Sequence, residues 1–172
     1  MKATGIVRKI DELGRIVIPK EIRRTMKIRE GDPLEIFTEK NGEVIFKKYS
    51  PLNENFEISG SVCEALHKHG GFSVCVFDGD TLIAHSGFSK KEAANAQMSE
   101  ELEKLITSEK SYLRKDTESP VTFIDQPLAV MVPIRAESDI VGALAAFKKE
   151  LPDKSDEKLV HTAAAIIGKE LF

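Results

Sequence analysis

The sequence predicts a two-domain protein of the α+β class, with a small strand-rich N-terminal segment and a larger C-terminal segment that mixes helices with strands. Three observations carry that reading: the uneven distribution of charge, an interruption of the apolar pattern near residue 50, and separate sets of hairpin and capping signals on either side of it. The 172 residues are more than one domain of about 100–150 residues needs. With 41% apolar and 31% charged residues, the composition is that of a folding chain. Residues 1–50 hold 12 Lys and Arg against 8 Asp and Glu, and residues 51–172 hold 13 against 20, so the parts carry +4 and −7. The interruption is YSPLNENFE, where Ser50-Pro51 and two asparagines break the pattern. It sets the expected domains at 1–53 and 54–172.

In the N-terminal segment, Thr4–Ile10 alternates as a strand does, Asp11-Glu12-Leu13-Gly14 reads as a turn, and Arg15–Ile18 as a second strand. Pro19 suits the first position of a short helix, because its missing N–H has no partner to lose there. Ile22 and Met26 give that helix one apolar side, and Gly31-Asp32-Pro33 ends it. Leu34–Glu39 and Glu43–Tyr49 are two more strands around Asn41-Gly42, a hairpin dipeptide. The expected order is β-β-α-β-β. Ile16-Val17-Ile18 and Val44-Ile45-Phe46 are apolar on both faces, while some fifty residues bury little surface alone. A symmetric dimer with interleaved hairpins resolves that conflict and sets each basic side chain twice about a two-fold axis. Duplex DNA has the same symmetry.

No apolar run spans a bilayer and MKATGIVRK lacks the apolar stretch of a signal peptide, so the expected location is the cytoplasm, with no membrane partner. Cys63 and Cys75 are the only cysteines, without C-x-x-C or zinc spacing, and read as small buried hydrophobes; neither a metal nor a cofactor is expected.

Within residues 1–29, nine basic side chains stand against three acidic ones. The stretch TGIVRKIDELGRIVIPKEIRRTMKI, followed by GD-LEIF and VIFKKY-P, resembles the AbrB-type swapped-hairpin DNA-binding domain of bacterial transition-state regulators. That resemblance implies a dimeric swapped-hairpin β-barrel, double-stranded DNA as partner, a nucleoid-associated location, and a DNA-binding transcription regulator, activator or repressor, of sporulation-type genes. In that family the arginines matching Arg8, Arg15, Arg23 and Arg24 are implicated in DNA contact, and Lys9 matches a further basic position. The choice of arginine has its own physical reason. Guanidinium is always charged, and its planar fork fits phosphate oxygens or the edge of guanine. With no recognition helix evident, readout is expected to rest on backbone geometry and groove shape, with one or two arginine–guanine contacts. The competing reading leaves these charges solvated or in weak surface pairs with Asp11, Glu12 and Glu21.

Beyond the boundary, Glu54–Lys68 reads as a helix closed by Gly70-Gly71, and FSVCVFD and TLIAHSG as strands joined through Gly79-Asp80. Ser89 and Glu92 match a capping box that opens a helix over Ala93–Thr107, with Leu102, Leu105 and Ile106 inward. PLAVMVPI and DIVGALAAF form an expected central hairpin, and Ser155–Phe172 a last helix with Leu159, Ala163, Ile166 and Ile167 in one stripe. This order resembles a GAF-type α/β sensor domain. Two readings of it stand side by side: a small-molecule effector between sheet and helices, and a filled core used for assembly into a homodimer or homotetramer. Ser155-Asp156-Glu157-Lys158 spells S-x-x-K, yet it reads better as a helix start, and the four histidines nominate no catalytic base, so an enzyme is not expected. The alternative to a regulator is a swapped-hairpin antitoxin that silences a toxin through its tail and autoregulates its operon. The two apolar hairpin signals after residue 53 weigh against so simple a tail.

Overall fold

The computed structural model describes residues 4–119 and 121–171. Its chain divides into two compact units, Met1–Tyr49 and Ser50–Phe172.

In the first unit, the expected strands over Thr4–Ile10 and Arg15–Ile18 are absent. The turn between them is present, with Gly14 at φ 75° and bonds from Asp11 N–H to the Arg15 carbonyl and from Gly14 N–H to the Asp11 carbonyl, each 3.0 Å. Beyond that turn the two arms form no ladder, since a strand is defined by its partner and one chain supplies none. Helix α1 (Lys20–Thr25) follows, with Pro19 one residue earlier than expected, just outside the first turn at ψ 149°. Lys27 at φ 51° ends it well before Gly31. Its apolar side is not buried: Met26 is exposed and Ile22 half-buried. Strands β1 (Leu34–Thr38) and β2 (Val44–Lys48) pair in antiparallel register from Leu34 opposite Lys48 to Thr38 opposite Val44. Their loop differs from the expected two-residue turn. Only Gly42 takes a positive φ (86°), and Glu39 N–H bonds to the Glu43 carbonyl, as in a three-residue connection with a glycine bulge.

The second unit opens with α2 (Pro51–Glu54), so Ser50-Pro51 begins a helix rather than merely breaking a pattern; the Ser50 hydroxyl accepts from Asn53 N–H. Helix α3 (Phe56–Gly70) ends on left-handed Gly71. Strands β3 (Ser73–Asp78) and β4 (Thr81–Ser86) form the first hairpin. The single helix expected over Ala93–Thr107 is two, α4 (Lys90–Asn95) and α5 (Glu100–Thr107). Ala96 is extended and Ser99 caps a second start, with Glu100, Glu101 and Glu103 favourably placed in the new first turn. Short strands β5 (Tyr112–Leu113) and β6 (Thr122–Phe123), not anticipated, precede the central hairpin of β7 (Gln126–Ala136) and β8 (Asp139–Phe147). The sheet order is β4-β3-β8-β7-β5, all antiparallel, with β6 on β7.

Alternation along the strands fills both faces. Val74, Val76, Leu144 and Ala146 pack with Cys63 and Leu66 of α3 and with helix α6 (Lys154–Lys169). Cys75, Phe77, Ala143 and Phe147 pack with Leu102 and Ile106 of α5. On α6 the buried stripe is Val160, Ala163, Ala164, Ile167 and Gly168, while Leu159 and Ile166 are exposed, so the expected stripe holds at Ala163 and Ile167 and fails at the other two. Gly168 decides that phase, because a Cβ there would strike the Arg135 carbonyl. The helix start is a capping box in which Asp153 accepts from the Ser155 and Asp156 N–H groups, so the S-x-x-K spelling is a helix N-terminus.

Candidate nucleic-acid interface

Of the five basic residues singled out, Arg8 and Lys9 lie on the arm before the 11–15 turn, Arg15 closes that turn, and Arg23 and Arg24 share the last turn of α1. The side chains of Arg8, Lys9 and Arg24 are exposed, without a hydrogen bond or ion pair among the described residues. Arg23 is half-buried, and its Nε has no hydrogen-bond partner among the described residues. Hairpin lysines differ: Lys47 stands 4.5 Å from the centre of the Phe37 ring, and the Lys48 Nζ is 3.3 Å from Asp32 Oδ2.

Arg15 is the exception among the arginines. Its Nε donates to Asp11 Oδ2 at 2.8 Å, while Asp11 Oδ1 accepts the N–H groups of Leu13 and Arg15 at 3.0 and 2.8 Å. The Arg15 N–H first, and then its guanidinium, hold the Asp11 carboxyl below its ordinary range. Acid of this kind was visible in sequence only as a weak surface pair; the signal that marks it is the four-residue spacing across a glycine turn. Around these groups the single chain leaves apolar side chains uncovered, with Val7, Leu13 and Val17 at 86%, 75% and 72% exposure.

In the second unit, a cleft of about 630 Å³ lies between β7 and α6, lined by Glu109, Arg135, Glu137, His161 and Lys169 over a floor of Val132, Ala164 and Gly168. The opposite face of the sheet is filled by Phe77, Phe88, Phe123 and Phe147, in ring contacts of 5.5–6.0 Å. Both cysteines are buried, and burial pushes the Cys63 thiol up to about 12 and the Cys75 thiol well above its usual range, which leaves both as neutral packing groups. Arg114, 2% exposed and unremarked in sequence, donates from Nη2 to the carbonyls of Lys148, Lys149 and Glu150, tying the end of β5 to the approach to α6. Among the described residues no cluster suits a metal ion, and no helix is long and apolar enough to cross a membrane.

Comparison with known proteins follows the same division. The family described as "Stage V sporulation protein T C-terminal, transcription factor" matches residues 55–172. The family described as "Antidote-toxin recognition MazE, bacterial antitoxin" matches residues 7–52. Stage V sporulation protein T of Bacillus subtilis (strain 168) is 46% identical over 176 residues, covering 99% of each chain. The transition state regulatory protein AbrB of that organism is 53% identical over 64 residues, 37% of this chain and 65% of that one. Among solved structures, the N-terminal DNA recognition domain of Bacillus subtilis AbrB is 61% identical and covers 30% of this chain and 94% of that one, with a TM-score of 0.27. With one relative matched end to end and a family match over most of its length, the chain belongs to the stage V sporulation protein T family.

Proposed function

We propose that the protein is a non-enzymatic transcription regulator that binds double-stranded DNA through a dimer of residues 1–53. Arg8, Lys9, Arg15, Arg23 and Arg24 are assigned as the contacting side chains. Residues 54–172, a domain of GAF-like type in this reading, hold the dimer or tetramer together. The observation that carries the proposal is the conjunction in one small unit of exposed, unpaired basic side chains with uncovered apolar ones: Arg8 and Lys9 follow directly on Val7. Pairing the arms of two copies as swapped hairpins covers the apolar side chains and doubles the cations about a two-fold axis, matching the symmetry and charge of a duplex. Identity of 46% to a sporulation protein over 99% of both chains, and of 53% to AbrB, supports the assignment and the link to sporulation-type genes. The same full-length identity, residues 54–172 included, disfavours an antitoxin with a toxin-binding tail. A nucleoid-associated, cytoplasmic location follows from the assignment.

The second unit admits an effector as well. The cleft beside α6 offers side chains of both signs, Glu109, Arg135, Glu137, His161 and Lys169, that form no ion pair among the described residues. The filled aromatic face favours assembly as this unit's first role.

Arg15→Ala with Arg24→Ala in the full chain tests the DNA assignment. Loss of binding to genomic fragments with the assembly intact by sedimentation is the expected result, and unchanged binding overturns it.

A further inference from the structure

Arg15 is the one arginine of the four already holding a carboxylate, and that carboxylate is fixed to the same turn. Asp11 meets Arg15 Nε through Oδ2 at 2.8 Å and takes two N–H groups through Oδ1, inside a turn closed by backbone bonds from Asp11 to Arg15 and from Gly14 to Asp11. Both side chains remain open to an incoming partner, at 70% exposure for Arg15 and 39% for Asp11. Two consequences follow. The pair carries no net charge, so it attracts a phosphate weakly, and the Asp11 oxygens repel one directly. The bond at Nε leaves the terminal Nη1 and Nη2 without a hydrogen-bond partner among the described residues, on a side chain 70% exposed, and ties the guanidinium to the carboxylate. That end matches the paired O6 and N7 acceptors of guanine in the major groove, which bear no formal charge and tolerate a nearby carboxylate.

We infer that Asp11 is a positioning residue that turns Arg15 from a phosphate contact into a guanine-reading one, leaving Arg8, Arg23 and Arg24 to the DNA backbone. The inference rests on the DNA-binding reading above and adds to it the source of sequence preference. The Arg15 N–H and guanidinium hold the Asp11 carboxyl below its ordinary range, so the partner Arg15 meets at neutral pH is a carboxylate.

The test uses the full chain and short duplexes that it recovers from a random-sequence pool, with each guanine replaced in turn by 7-deazaguanine, which lacks N7. For the unaltered chain, one or two positions should weaken binding by about three- to tenfold, roughly half in free energy of a full bidentate contact, because O6 still accepts. In Asp11→Asn, which keeps the shape and the Oδ1 acceptor but loses the charge, those positions should cost less than about twofold, because the arginine swings to a phosphate. The slope of log K against log[salt] should then steepen by up to about 1.8 per dimer, at roughly 0.9 for each freed arginine. Asp11→Glu should restore part of the guanine sensitivity. Arg15→Lys, which leaves the Asp11 caps in place and carries no planar fork, should lose that sensitivity without needing any change at Asp11. Full guanine sensitivity in Asp11→Asn, or none in the unaltered chain, overturns the inference. If Arg8→Ala, Arg23→Ala and Arg24→Ala still weaken binding to every duplex, the DNA reading survives that result; if they change nothing, the broader reading falls instead.

Discussion

Residues 50–171 bury both faces of their sheet, with Val74, Val76 and Leu144 toward α3 and α6 and with Cys75, Phe77 and Phe147 toward α5, whereas residues 4–49 leave Val7, Ile10, Leu13, Ile16 and Val17 exposed along arms without a ladder. Both regions are built from β-branched runs of similar character. What separates them is whether the chain itself supplies the covering layer: the second unit has helices for both faces of its sheet, and the first has, among the described residues, one six-residue helix with no buried residue. A region of that second kind, rich in unpaired cations, is suited to completion by another molecule. In this account its apolar side is completed by a second copy and its basic side by a duplex.

Each region can be perturbed on its own. The largest effect is expected from Val17→Asp, which places a charge on the surface assigned to the partner copy. DNA binding should fall by more than about 100-fold, as for loss of several contacts at once, while the second unit unfolds at an unchanged temperature in calorimetry. An equal effect on that unit would show that Val17 is not confined to an assembly surface. Next is Leu144→Ala in the fully buried sheet, expected to cost about 2–5 kcal/mol in denaturant unfolding of the second unit. Affinity for DNA per folded molecule should be unchanged. Gly142→Ala sharpens the same point, since its Cβ would strike the Phe77 carbonyl and the Leu52 side chain; overpacking of this kind costs about 1–3 kcal/mol. The smallest effect is the response of α6 to acid. Hydrogen bonds from the Ser155 hydroxyl first, then from the Asp156 and Ser155 N–H groups, hold the Asp153 carboxyl below its ordinary value of 3.8. A depressed folded-state value means that this cap contributes fully above the unfolded value and is lost as pH falls through the folded one. Fraying at the start of α6, followed by amide exchange, should therefore appear only in strong acid, and its dependence on acid should weaken in Asp153→Asn, which keeps a capping oxygen but has no carboxyl to protonate.

The parts legible in the sequence were those governed by neighbours in the chain. Ser89 and Glu92 form their capping box, Gly71 closes α3 in the left-handed region, and PLAVMVPI with DIVGALAAF pair as the central hairpin. Those missed depend on competition or on distant contact. The break at Ala96 arises because Ser99 and three glutamates favour a fresh helix start over continuation. The stripe on α6 shifts because Gly168 must lie on the Arg135 carbonyl, which no local pattern reveals. Strands expected on either side of the 11–15 turn lack a partner in the single chain, although their apolar alternation was read from the same residues. At the candidate interface, the exposure of Arg8 and Arg24 is legible and so is a weak pair with Asp11, but neither the partial burial of Arg23 nor the fixed bond from Arg15 to Asp11 is, since a turn must first bring residues four apart into register.

In the proposed assembly, paired copies of the first unit present unneutralised guanidinium groups to the DNA backbone. Its most direct test is the binding of the full chain to a recovered duplex measured across a series of salt concentrations. With Arg8, Arg23 and Arg24 on phosphates in each copy, log K should fall against log[salt] with a slope of roughly −5, and Arg24→Ala should flatten it by about 1.8 per dimer. A slope shallower than about −2, or one that Arg24→Ala leaves untouched, contradicts the account.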